Sequence, residues 1–184
     1  MISRENAHKL LNQHISNANM IKHSLASETV LKAIARKLHN DEEEWGLAGL
    51  MHDIDVEITH ADPYKHGPYA EGMLAGLLSA EAIDAIVMHN EMATGKERTT
   101  VFQHALAAGE TITGLIMATT LVYPDKKLAS VKTKSITKRM KEKAFAASVN
   151  RETILECELI GITIQDFAEM ALTAMQEISD ELGM

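Results

Sequence analysis

The prolines of this chain are few, Pro63, Pro68 and Pro124, and the stretches they punctuate carry apolar residues at three- and four-residue steps, not in alternation. A chain patterned in this way buries stripes of helix, not faces of sheet. Aromatic residues make up only 4% while Met, Leu and Ala abound, which favours helix again. The expected fold class is all-α, a compact multi-helix bundle without a sheet. Helices are expected near 3–15, 18–39, 41–54, 64–78, 80–90, 100–122, 134–148, 150–160 and 163–182. Segments 55–63, 91–99 and 123–133, rich in turn formers or charge, are expected to be irregular.

The 184 residues suffice for one domain with a core that needs no covalent staple, so a single helical domain over 1–184 is expected. Cys157 is the only cysteine, which excludes an internal disulfide and a thiolate metal cluster and fits a reducing cytoplasm. The stretch Met1 to His14 is polar and does not read as a signal peptide, and no apolar run reaches membrane-spanning length. The formal charge of −8 argues against a chain that neutralises many nucleic-acid phosphates; a small ligand is the expected partner. Within that acidic chain Lys126, Lys127, Lys132, Lys134, Lys138, Arg139, Lys141 and Lys143 form a basic stretch, read as a solvated helix face. In the last helix Ile164, Phe167, Ala168, Ala171, Met175, Ile178 and Leu182 share one stripe, read as core that can extend into a homodimer contact.

The chemistry is expected from histidines placed on apolar helix faces, where an imidazole without a partner is costly to bury. His52 and Asp53 close the segment Trp45 to Ile54, which is apolar on almost every side. A buried carboxylate there must be paired or must hold a cation, and the adjacent imidazole is a co-ligand that transition metals accept. The alternative is that both side chains hydrogen-bond to neighbouring helices. His23 shares an inward stripe with Ala26, Val30 and Ile34, and His89 follows Ala82, Ala85 and Ile86 in the same manner. Glu110 interrupts the apolar run Ala105 to Leu115 and reads as a buried acid awaiting a partner. His66, between Lys65 and Gly67, either approaches from a further direction or stands exposed at a helix entrance. Asp55 and Glu57 either orient ligands or cap the helix end. Lys22 and Lys65 read as surface residues, and His8, His14, His39, His60 and His104 as surface or packing residues. Donors for a substrate phosphate are sought in the loop that holds Lys96 and Arg98 and in the helix start that holds Lys134 and Lys138.

The ordered set of His23, the His52-Asp53 pair, His66-Gly67, His89-Asn90 and the closing run Ala107 to Gly114 resembles the HD superfamily of metal-dependent phosphohydrolases. The resemblance covers residues 15–123 and implies an HD-like metal-binding core there, with 124–184 as a C-terminal helical extension packed on it. It implies that His23, His52, Asp53 and Glu110 hold one divalent ion, and that Asp53 bridges to a second ion held by His66 and His89. The catalytic set is then His52, Asp53 and Glu110. The ion is one of Mn, Fe, Co, Ni, Zn or Mg, and the implied activity is hydrolysis of phosphate mono- or diesters, nucleotides among them, by metal-activated water. The family closes its ligand set with Asp where this chain has Glu110, one methylene longer. Two other readings stand beside the hydrolase: a di-iron oxygenase, which the resemblance implies because some relatives with this helical core are such enzymes, and a non-catalytic nucleotide-binding protein in which Glu110 marks a degenerate site.

Overall fold

The computed structural model describes residues 1–184 and consists of helices and turns, with no strand. In order these are α1 (Arg4–His14), α2 (Ala18–Leu38), α3 (Glu42–Met51), α4 (Pro68–Leu74), α5 (Ala80–Met88) and α6 (Glu91–Thr94). They are followed by α7 (Val101–Leu121), α8 (Thr133–Met140), α9 (Arg151–Leu155), α10 (Ile164–Glu177) and α11 (Ser179–Leu182). Short 3-10 turns lie at Leu128–Ser130 and Glu156–Glu158. No helix is long and apolar enough to cross a membrane.

Side-chain caps set the helix starts. Asp41 accepts from the amides of Glu43 and Glu44, with an acidic first turn behind it that suits the helix dipole. Thr100 and Gln103 form a reciprocal capping box at the head of α7. The two longest helices, α2 and α7, pack on α3 at the centre of the bundle, and α10 covers α2 from the C-terminal side. α3 is buried from Trp45 to Met51 without a break, as its apolar character on all sides requires. Trp45 stacks on Phe102 of α7 with ring centroids 4.5 Å apart. One continuous hydrophobic core runs from Ala7 to Leu182 and contains Phe167, Ala168, Ala171, Met175 and Leu182 of the expected C-terminal stripe; Ile164 and Ile178 pack half-buried against it.

Close approach of α2 and α3 depends on Gly49. A Cβ there would stand 2.7 Å from the Ser27 carbonyl oxygen, which is backbone and cannot swing away. Gly49→Ala is therefore expected to cost about 1–3 kcal/mol, read as a melting temperature lower by roughly 2–4 °C per kcal/mol.

Several helix ends differ from the sequence expectation. The segment 52–67 is a run of turns, so α3 stops at Met51 and α4 begins only at Pro68. Gly67 has φ +96°, a conformation that suits glycine, and Pro68 then opens the helix at a position that needs no amide proton. The expected helix 134–148 ends at Met140. Its remainder, despite good helix formers, folds into turns because the Arg151 guanidinium donates to the carbonyls of Phe145, Ala146 and Val149. The expected helix 150–160 is α9 followed by a 3-10 turn, the expected 163–182 breaks at Ile178, and the loop 91–99 contains α6.

Candidate metal centre

His52 caps the C-terminus of α3 and is wholly buried; its Nδ1 lies 2.8 Å from the Gly49 carbonyl oxygen. A carbonyl only accepts, so Nδ1 carries the proton and Nε2 presents a lone pair. The same logic fixes three further rings. His89 Nδ1 donates to the Ile86 carbonyl at 2.5 Å. His66 Nδ1 donates to the Asp55 carboxylate at 2.8 Å. His23 Nδ1 lies 2.9 Å from Thr113 Oγ1, whose own proton goes to the Glu110 carbonyl, so the hydroxyl oxygen accepts from the ring.

All four Nε2 atoms turn towards Asp53. His52 and His23 lie 3.3 Å and 3.6 Å from Asp53 Oδ2, while His66 and His89 lie 3.0 Å and 3.6 Å from Oδ1. Within each pair the two Nε2 atoms are 3.1 Å apart. With all four rings neutral, lone pair would face lone pair around the carboxylate; a proton or a metal cation between the partners relieves that repulsion. The ligand atoms of His23, His52 and Asp53 lie within 4.8 Å of one another, as do those of Asp53, His66 and His89. The donor set of imidazole and carboxylate fits divalent transition metals, and the residues present fit such an ion in each group.

Burial and the carboxylates set the charge on each group of the centre. Burial disfavours charge on His66, yet Asp53 and Asp55 outweigh it and push the ring up to about 10. Burial foremost, with His52 beside them, holds His23 and His89 down at about 4, so both are neutral donors. Burial opposes the charge on Asp53 as well, but His52 beside it keeps the carboxyl well below the usual range.

Glu110, on α7, is set slightly apart. Its Oε2 is 3.6 Å from His23 Nε2, but it belongs to neither compact group. Its carboxylate takes a hydrogen bond from Thr111, and burial raises its carboxyl to about 7. With His23 and His89 it lines a cleft of about 330 Å³ whose other wall contains Ser148, Asn150 and Thr153.

Asp55 and Glu57 separate cleanly. The fully buried Asp55 accepts from His66 and from the Gly67 amide at 2.8 Å each, so it fixes the ring that faces Asp53. Glu57 instead staples the α1–α2 linker through the amides of Ser16 and Asn17. Asp55→Ala is expected to weaken divalent-metal affinity at the His66–His89 group by roughly 10- to 100-fold and to leave affinity at the His23–His52 group unchanged, as read by metal titration.

The expected phosphate donors are not brought to this centre. Arg98 is buried with every guanidinium nitrogen engaged, by Glu156, by Glu91 and by the carbonyls of Met88 and His89. An arginine so held has no proton left for a substrate, and its role is structural. Lys96 is exposed on its loop. Lys134 and Lys138 line a different cleft of about 540 Å³, together with Lys141 and Arg151.

Spacing alone pointed to none of Gly49, Thr113 or Glu156. Gly49 contributes a backbone carbonyl, which no side-chain pattern reveals, Thr113 a hydroxyl oxygen to a ring 90 residues away, and Glu156 lies 52 residues from its partner His104.

A family model described as HD domain matches residues 20–141. No curated protein and no solved structure matches the chain.

Proposed function

Since this chain belongs to the HD domain family, we propose that its histidine–aspartate centre is a phosphohydrolase site that acts on phosphate mono- or diesters. The observation that carries this reading is Asp53, whose two oxygens divide between two imidazole pairs. A divalent ion in such a set lowers the pKa of bound water towards neutrality and neutralises phosphoryl oxygens.

The residues of the chain supply the rest. Asp53 would offer one carboxylate oxygen to an ion in each pair, and the Nδ1 partners of the four histidines orient each Nε2 inward. Glu110 stands on the cleft side of His23, where it completes the first ligand group or faces the bound ester. The cleft admits the substrate from the side of His23 and His89, while Asp53 stays buried beneath.

The test is elemental analysis of the freshly purified protein, followed by a phosphatase and nucleotide panel on the metal-loaded form. Bound divalent metal with phosphate release supports the reading. Bound iron with oxygen-dependent spectral change and no phosphate release would replace it with an oxygenase. Ligand-induced stabilisation without any turnover would leave a binding protein.

A further inference from the structure

We propose that the cleft above the metal centre takes the phosphomonoester of a small polyhydroxylated alcohol without a further anionic group, and that Ser148, Asn150 and Thr153 read the alcohol. The inference rests on the hydrolase reading for the role of the phosphate, but the alcohol wall stands on its own observations.

The cleft has two unlike sides. His23, His89 and Glu110 form the metal side, and Ser148, Asn150 and Thr153 bring hydroxyl and amide groups from the segment around α9. No Lys or Arg lines it, although the chain has 18 of them and three lysines and an arginine line the separate cleft beside α8. The charge of one phosphate can be met by the metal side. A second phosphate would find only neutral groups and the Glu110 carboxyl, so the cleft selects against polyphosphates. A further anionic group on the alcohol would lack a partner for the same reason, whereas hydroxyl groups would meet donors and acceptors of their own kind.

Size narrows the class. About 330 Å³ stands at the low end of the roughly 300–1,000 Å³ typical of small-molecule sites. That suits an alcohol of the size of a triose or pentose better than an oligonucleotide or a dinucleotide.

The wall is also held in place. Arg151 Nη1 donates to the carbonyls of Ala146 and Val149, at 2.6 Å each, and Nη2 donates to that of Phe145, so the turn that carries Ser148 is clamped from below. Asn150 commits its side-chain oxygen to the amides of Glu152 and Thr153, which leaves its NH2 group as a donor for the ligand. Donors fixed before binding lose less entropy on association than those of a loose loop.

The test is calorimetric titration of the metal-loaded full chain with ribose 5-phosphate, inorganic phosphate and tripolyphosphate. It uses the native protein, a Ser148→Ala, Thr153→Val double variant and a Ser148→Lys variant. Each lost contact is worth roughly two- to tenfold in affinity. Ribose 5-phosphate is expected to bind the native protein at least tenfold more tightly than either other ligand, and the double variant is expected to bring it down to the level of inorganic phosphate. Ser148→Lys is expected to strengthen tripolyphosphate selectively, a gain that a folding defect cannot mimic. Equal affinities in the native protein, no binding of any probe, or an undiminished margin in the double variant would each overturn the inference. Phosphate release, followed in the same samples, judges the hydrolase reading separately. A binding margin without release keeps the alcohol wall and removes hydrolysis, while release without a margin does the reverse.

Discussion

Asp53→Ala is expected to empty both halves of the metal centre at once, whereas His66→Ala or His89→Ala is expected to remove one ion and leave the other. The difference follows from the division of labour within one carboxylate: Oδ2 faces His23 and His52, and Oδ1 faces His66 and His89. Loss of Asp53 removes a candidate donor from each group and takes away the negative charge around which four imidazoles converge. On the hydrolase reading proposed above, phosphate release is expected to fall by roughly a thousandfold or more, since metal stabilisation of the transition state is worth several kcal/mol and each 1.4 kcal/mol is a factor of ten. Elemental analysis of the three variants beside the native protein, with circular dichroism to verify their helical content, makes the comparison. An Asp53→Ala protein that keeps a full complement of metal would show that the histidines hold the ions unaided and that no bridge exists.

Much of this centre was readable before folding because its donors sit where apolar periodicity forbids them without a partner. His23 on the stripe with Val30 and Ile34, and His52-Asp53 at the end of a wholly buried helix, are polar atoms in positions that demand an explanation. His66 was open to two readings because Lys65 and Gly67 beside it carry no periodicity. Only the fold supplies Asp55, Asp53 and His89 around its ring. The all-helical class was legible for the same reason, as periodicity sums over long segments, while helix ends turn on single contacts. Residues 141–149 show the limit: Ala and Lys favour helix there, but the Arg151 guanidinium collects their carbonyls and ends α8 at Met140. The cleft wall at Ser148 exists because that turn does.

Arg98 was misread for a related reason. A cation in a short polar loop looks free until the carboxylate that claims it, 58 residues onward, is in view. Glu156 receives Arg98 Nε at 2.8 Å and Nη2 at 2.5 Å, with His104 Nδ1 at 2.7 Å on the same carboxylate. Arg98 Nη1 in turn donates to the carbonyls of Met88 at 3.0 Å and His89 at 3.2 Å, the end of the helix whose last ring faces Asp53. The pair thus ties the C-terminal segment to the second ligand group.

Glu156→Ala would strand a guanidinium whose side chain is only 5% exposed. Removing one partner of a fully buried pair costs about 3–5 kcal/mol. Here the Glu156 side chain keeps 16% exposure and Glu91 remains 3.2 Å from Arg98, so about 2–3 kcal/mol is expected. For a chain of this size that is a melting temperature lower by roughly 4–12 °C. The more telling effect is on metal: with Arg98 no longer anchored, the carbonyl end of α5 is free to move. Affinity at the His66–His89 group is then expected to drop roughly 10- to 100-fold, as for other groups that orient a ligand, while the His23–His52 group holds. Scanning calorimetry and metal titration read the two effects separately. A lowered melting point with both affinities intact would make the pair a structural brace alone. Selective loss of one ion would show that a residue far beyond the ligands in sequence sets the geometry of the second half of the centre.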